Sequence, residues 1–559
     1  MSDYIAINNQ NSYGALANEG RDDNHDDNHG HSSALEVPFG SLLHAGGVNS
    51  LDRFASSFTR AQSFHVLDPM NSFQRERSVS TTFTHTDDEE AQGPFSPHSR
   101  YFEDAIDDDD ASFIDNTHLL SPENKFVERR MTVSNEPQLV VRVEEETDGK
   151  FVAVVEGQST APQTIFNSVN LLIGIGLLSL PLGFKYTGWA VGTMFLLLCA
   201  FATRYSAGLL AKCLDTDKTL ITYADIGYAA FGSRARLIIS VLFSLELVGA
   251  GVSLVVLFAD SLNALFPSIS KLQYKLLAFV LLTPPTFLPL NILSFSSVMG
   301  IISTIGLVFI VFFDGLYKAT TPGSLREPME TWIMPRDWSM IPLSIGIFMS
   351  PWGGHAVFPN IYRDMRHPQK YTACLNTVYK ITFSADFAMG ILGFLMFGAK
   401  VSEEITKNIL VTEGYPAFLS YFVTFLISLI PLAKMPLTAR PIVTTLDILF
   451  GLDDNSLIKK HQLTGELSST KLNGIYKFMT RVGVNFLFLI MALVFPDFDR
   501  IIALVGSALC VTICLVLPVA FYLKIFKGQI SQRERWLDYF ILVASSVAAI
   551  VGTVASLRS

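Results

Sequence analysis

The chain has 559 residues, 49% of them hydrophobic, with 43 Phe and a mean hydropathy of +0.36. Those values describe a polytopic membrane protein and exclude an ordinary soluble enzyme. The formal charge of −10 hides two different polymers, because residues 1–160 carry 29 Asp+Glu against 11 Lys+Arg, a net −18 that leaves +8 on the remainder.

Residues 1–160 are rich in Asp, Asn, Ser and His, contain the run Asp107-Asp108-Asp109-Asp110 and lack a sustained apolar period. They are expected to form a disordered, solvated tail. No basic region followed by an apolar stretch opens the chain, so the first membrane helix itself is expected to direct insertion. The tail holds Asp115-Asn116-Thr117-His118-Leu119-Leu120, an acidic dileucine arrangement resembling the signals that sorting adaptors read, set against chance occurrence of so short a motif. Ser121-Pro122 follows directly, and a phosphate there would add charge beside Leu120 and alter adaptor docking. The tail histidines, such as His25, His29 and His31, are too loosely spaced for a metal site and read as polar linker.

From residue 161 onward, apolar runs able to cross about 30 Å of hydrocarbon fall at 163–185, 188–211, 237–261, 275–293, 297–318, 341–361, 374–397, 416–437, 475–496, 500–523 and 537–557. The expected fold is therefore all-α and polytopic, with eleven transmembrane helices. Thr283-Pro284-Pro285 interrupts the fourth and Ser350-Pro351-Trp352-Gly353-Gly354-His355 the sixth. With the amino terminus in the cytosol, 17 of the 27 basic residues outside the spans after position 160 lie on the cytosolic side, which the distribution of Lys and Arg favours. An odd number of spans then puts Ser559 on the other side.

The first span carries Asn167, Asn170, Gly174, Ile175, Gly176, Leu177, Ser179 and Pro181. Proline lacks the N–H that a continuous helix needs, and glycine adds backbone entropy, so this helix is expected to break. Freed backbone groups inside a bilayer must be buried in protein or line a cavity. Interrupted first and sixth spans, five apart, are what an inverted repeat of five plus five helices places around a midplane site. Close packing through small residues is the competing explanation.

Asn167-x-x-Asn170 followed by Gly174-Ile175-Gly176-Leu177-Leu178-Ser179-Leu180-Pro181 and Gly188-Trp189 resembles the amino acid/auxin permease family. The run from Phe348 through Ser350-Pro351-Trp352-Gly353-Gly354-His355 to Tyr362 is similar to the sixth-helix signature of its fungal vacuolar branch, akin to vesicular inhibitory amino-acid transporters. The resemblance covers about residues 160 to 557. It implies the eleven-helix, LeuT-like fold, a cytosolic amino terminus and proton-coupled movement of amino acids.

Physical chemistry points to the same site. N–H groups near Leu177 to Ser179, at the start of a half-helix, suit a substrate carboxylate. Carbonyls at Asn170 to Gly174 and around Ser350 to Trp352 suit its ammonium, and Gly174, Gly176 and Gly353 leave room at backbone level. Proton-coupling candidates are Glu246 and Asp386, carboxylates near the middle of the third and seventh spans, and His355 beside the second break. The alternatives are ion pairing of the carboxylates with Arg204, Lys380 or Lys434, and a hydrogen-bonding or packing role for His355. Lys434 lies in the eighth span, which in sodium-coupled relatives of the fold supplies part of a sodium site, and a fixed ammonium nearby would oppose Na⁺ and favour proton coupling; the alternative is that it snorkels to the interface.

Cys510 and Cys514, four residues apart, read as packing rather than a metal pair. No nucleotide-binding glycine loop, metal-ligand cluster or triad is present in the sequence, so neither covalent catalysis, a cofactor nor a nucleic-acid partner is expected. The reading is a carrier exchanging protons for neutral amino acids across the vacuolar membrane, its partners being the substrate, protons, lipid and a sorting adaptor. A symporter and an amino-acid-sensing receptor with a signalling tail stand as alternatives.

Overall fold

The computed structural model describes residues 157–288, 290–449 and 470–558, together with 54, 56–58, 60–61 and the short segments 128–130, 140–145 and 151–155. The Asp115, Leu119 and Leu120 motif lies outside the described residues. Within residues 1–160, expected to be largely disordered, regular structure is described in two places. Strands β1 (Glu128–Arg130), β2 (Val140–Glu145) and β3 (Phe151–Val155) form an antiparallel sheet in the order β1-β2-β3. Val141 pairs with Val155 and Val143 with Ala153. The short Val-rich stretches in β2 and β3 favour a pleated ladder even though the tail as a whole is polar. A second departure is helical backbone within 54–61.

The remaining described chain is helical. Helix α1 (Ala161–Leu172) starts at a capping box in which the Thr160 N–H donates to Gln163 Oε1 at 2.9 Å. It stops at Ile173, where ψ turns to 101°, and extended backbone at Gly174 leads into a 3₁₀ turn, Ile175–Ser179. Helix α2 (Leu180–Leu214) follows, divided at Gly188, whose φ is +69°. Then come α3 (Tyr223–Phe231), α4 (Ser233–Leu265), α5 (Lys271–Leu282) and, after a 3₁₀ turn at Pro284–Phe287, α6 (Leu290–Tyr317).

The sixth expected span is three pieces: α7 (Ile341–Met349), a 3₁₀ turn Ser350–Trp352, and α8 (Phe358–Arg363). The chain continues through α9 (Tyr371–Phe397), α10 (Ile405–Val411), α11 (Ala417–Leu449), α12 (Thr470–Val494) and α13 (Phe498–Leu504). Two π-helical stretches, Val505–Cys510 and Thr512–Val516, precede α14 (Leu517–Ile525) and α15 (Gln532–Arg558).

Among the described residues, eight helices are long and apolar enough to cross a membrane. The three expected spans outside that set are the first, fourth and sixth, and each is interrupted at the residues that the sequence singled out. At about 1.5 Å per residue, the 12 residues of α1 or α5 reach only part-way across. Large apolar side chains such as Phe201, Phe309, Phe425 and Ile550 are exposed, as lipid-facing residues are. Inside, α2 packs along α9, and α11 packs on α4 and α6. Phe184, Phe348, Trp352 and Phe394 are completely buried in the first of two apolar clusters.

The left-handed backbone at Gly188 breaks α2 at a kink. Trp189 and Ala190 then donate their N–H groups to the carbonyls of Trp332 and Ile333, tying the kink to the 318–340 connection. A Cβ at Gly188 would come within 2.7 Å of Ile333 O, on top of a positive φ that costs an L-residue about 1–2 kcal/mol. Gly188→Val is therefore expected to lower the melting temperature of the detergent-purified protein by several degrees, whereas the same change at Gly208, where nothing lies within 4 Å, leaves it nearly unchanged.

Candidate functional site

The two breaks meet. A Cβ built on Gly176 would lie 2.6 Å from Ser350 Oγ and 2.9 Å from Pro351 N, so only glycine lets the first turn approach the second. The hydroxyls at the junction are used locally: Ser179 donates to Gly176 O at 2.8 Å and Ser350 to Ile347 O at 3.0 Å. Gly176, Leu177 and Ser179 are buried, while Gly174, Ile175, Ser350 and Gly353 are half-buried. Because the turn begins at Ile175, the N–H groups without an acceptor in it are those of Ile175 and Gly176, two residues earlier than the sequence reading placed them.

On the other side of the break, α1 presents its carboxyl-terminal carbonyls. Lys434 of α11 donates from Nζ to Ile173 O at 2.8 Å and to Asn170 O at 3.4 Å. A cation at this helix end is favoured by the backbone dipoles as well as by the bonds. Lys434 thus reaches inward to the break instead of snorkelling to an interface, and it takes two of the carbonyls that the sequence reading assigned to a substrate ammonium. Gly174 keeps this corner open, since a Cβ there would sit 3.6 Å from Lys434 Nζ.

Trp352 is completely buried and stacks on Tyr379 of α9 with ring centroids 5.3 Å apart and planes 11° apart. Its carbonyl accepts from Cys514 Sγ at 3.5 Å. Glu246 of α4 stands across the second break: Cys510 Sγ donates to Glu246 Oε1 at 3.4 Å, and a Cβ on Gly353 would come within 3.1 Å of that oxygen. Cys510 and Cys514 are therefore polar neighbours of the site. Among the described residues no group of three or more His, Cys, Asp or Glu is placed to hold a metal ion.

The other candidates lie around this centre. Asp386, two turns beyond Tyr379 on α9, is fully buried, and neither carboxylate oxygen has a hydrogen-bond partner among the described residues. His355 is fully buried, with Nε2 3.0 Å from both Ser206 Oγ and Thr203 O, and so bridges the second break to α2. Among the described residues, two of the cations offered as partners for the carboxylates are engaged elsewhere: Arg204 donates to Asn376 Oδ1 at 2.9 Å and Lys434 is held by backbone carbonyls.

Three participants were missed by sequence reasoning. Cys510 was set aside as packing, and the π-helical turns that aim it at Glu246 leave no local signature. Tyr379 gave no signal apart from its aromatic character. The third is Asp364, just beyond α8, which accepts from the Ser159 hydroxyl and pairs with Arg60 of the tail at 3.0 Å. Burial pushes the Asp364 carboxyl up from its ordinary range, while Arg60 and Ser159 pull it back.

A membrane bundle whose two broken helices meet around backbone donors and acceptors, with a lysine ammonium at one helix end and a carboxylate at the other turn, has the geometry of a secondary carrier. The model of the family described as transmembrane amino acid transporter protein matches residues 157–558. The chain belongs to that family, one of membrane transporters and not of enzymes. It is 30% identical over 403 residues to amino acid transporter AVT1D of Arabidopsis thaliana, covering 70% of this chain and 68% of the relative. It is 29% identical over 410 residues to AVT1C of the same plant, covering 71% and 70%. Among solved structures it is similar to a Na⁺-coupled sialic acid symporter in a substrate-bound outward-open state, at 14% identity and a TM-score of 0.44, covering 71% of this chain and 90% of that one.

The Gly176 contact gives a direct test. Gly176→Val must push apart Ser350 and Pro351, and substrate affinity measured by radioligand binding is expected to fall at least about ten-fold, or about 1.4 kcal/mol. Unchanged affinity in a variant that keeps the wild-type melting temperature would remove this junction from the site.

Proposed function

We propose that the chain is a proton-coupled carrier of neutral amino acids in a vacuolar membrane, loading them into the lumen in exchange for protons. The observation that carries this reading is the junction of the two breaks at Gly176 and Ser350-Pro351, with Lys434 bound to Ile173 O beside it. An amino acid presents a carboxylate and an ammonium close together. The N–H groups of Ile175 and Gly176 offer donors for the first, and the carbonyls at Ser350 to Trp352, with Glu246 behind Gly353, offer acceptors for the second. The Trp352 and Tyr379 rings would form a wall for an apolar side chain.

The topology belongs to the same proposal: the eight long helices and the three interrupted ones make eleven crossings, arranged as two inverted five-helix repeats plus one, with the amino terminus in the cytosol. Interruption of the first and sixth, five spans apart, supports it. Amino-acid transporter relatives support the substrate class.

For coupling, Lys434 takes the role of a built-in cation at the end of α1. A mobile Na⁺ would be repelled from the same carbonyls, which leaves protons as the driving ion. Glu246 is the proposed proton carrier, because protonation there changes the charge facing the substrate ammonium across Gly353. Asp386 and His355 are farther relays, and a dileucine-reading adaptor at Asp115, Leu119 and Leu120 would deliver the protein to the vacuole.

Uptake into sealed vesicles with an acidic lumen is the test. Amino-acid uptake is expected to stop when a protonophore collapses the gradient, and to be the same in sodium and potassium buffers. Glu246→Gln is expected to lose gradient-driven uptake yet keep exchange of labelled for unlabelled substrate. Uptake that survives the protonophore contradicts the antiport, and loss driven by sodium removal contradicts the role of Lys434.

A further inference from the structure

Tail residues 54, 56–58 and 60–61 are helical and touch the membrane bundle. Ser57, Phe58, Arg60 and Ala61 are all buried. Asn167 Nδ2 donates to Ser57 Oγ at 2.8 Å, Ser57 Oγ lies 2.5 Å from Ser159 Oγ, and Arg60 Nη2 donates to Ser159 Oγ at 3.2 Å. Arg60 Nε donates to Asp364 Oδ1 at 3.0 Å, with the two side chains only 8% and 2% exposed. Asn360 Nδ2 reaches Ala61 O at 3.4 Å, and the Phe54 ring meets Phe166 edge-on at 5.1 Å.

This footprint is divided between two elements. Phe166, Asn167 and the lead-in residue Ser159 belong to the first broken helix; Asn360 and Asp364 belong to the end of the sixth. The same seam is closed by backbone, as Ser159 N donates to Asp364 O at 2.6 Å and Arg366 N to Ser159 O at 2.9 Å. For substrate to pass at this end, α1 and α8 must part. A segment bonded to both opposes that, and the bonding is specific: a cation from a strongly acidic tail is matched to a buried aspartate, where a pair broken on one side leaves an uncompensated charge.

We propose that the 54–61 segment is a self-docking plug, which binds the Ser159, Asn167, Asn360 and Asp364 face of this chain's own bundle, holds the first and sixth helices together and slows transport until released. The inference rests on the carrier reading. The linker from residue 61 to residue 157 keeps the segment at a high local concentration without requiring tight binding, so it can dock and leave. Ser57 is buried when docked, so its modification would act on the undocked segment and oppose redocking. A phosphate there would add roughly two negative charges next to Asp364.

The experiment uses the full chain in proteoliposomes. With a docked population of roughly 90%, release is expected to raise the initial uptake rate about ten-fold in a chain lacking residues 50–63, in Arg60→Glu and in Ser57→Asp. A synthetic peptide of residues 50–63 is expected to slow the deleted chain again, and a scrambled peptide is not. Docking is read independently of transport by an oxidative cross-link between Ser57→Cys and Ser159→Cys, which is expected to form, to arrest uptake and to be reversed by reductant. Failure to cross-link, or uptake unchanged or lowered by the deletion, overturns the plug. A chain that cross-links but takes up no amino acid in any form contradicts the carrier reading instead.

Discussion

Backbone groups released inside a bilayer have no water to turn to, and everything at the centre of this protein follows from how the carbonyls at the end of α1 are satisfied. Two of them, from Asn170 and Ile173, receive the ammonium of Lys434, which arrives from α11 more than 250 residues later in the chain. The break can then persist without water filling the gap, and the opposite side of it, the Ile175 and Gly176 N–H groups, stays available. Because the Lys434 ammonium occupies these carbonyls, a free cation could bind them only by displacing it.

The second break repeats the logic with different chemistry. Gly353 lies against a carboxyl group, that of Glu246, and the π-helical turns Val505–Cys510 and Thr512–Val516 bring Cys510 and Cys514 to Glu246 and to the Trp352 carbonyl. Extra residues in a turn of helix are a known way to re-aim side chains at a functional site. An ammonium from α11 thus stands at one break and a carboxyl group from α4 at the other, with Gly176 allowing the two breaks to touch.

Local chemistry made the breaks legible: glycines and prolines inside apolar runs located the interruptions of the first, fourth and sixth spans, and the family resemblance rested on those same residues. The offset at the first break, Ile175 rather than Leu177, reflects a turn that tightens to 3₁₀ geometry before Pro181. Long-range partners were not legible. Nothing in the neighbourhood of Lys434 says that it faces Ile173, and the pairing of Arg60 with Asp364 joins residues about 300 apart through a tail whose composition reads as disorder. Even there a signal existed, since Phe54 and Phe58 fall one helical turn apart beside Arg60 in an otherwise polar stretch. Composition averaged over 160 residues concealed it, as it concealed the valine-rich strands β2 and β3.

Lys434 is the residue on which the satisfied carbonyls of the first break and the proposed coupling both depend. Binding of radiolabelled amino acid to the purified protein, with Lys434 intact or replaced by Met and with sodium absent or present, tests it most directly. The account predicts sodium-independent binding by the native chain and binding weakened at least about ten-fold, or about 1.4 kcal/mol, in Lys434→Met without sodium. Equal affinity in the two proteins in sodium-free buffer would contradict it.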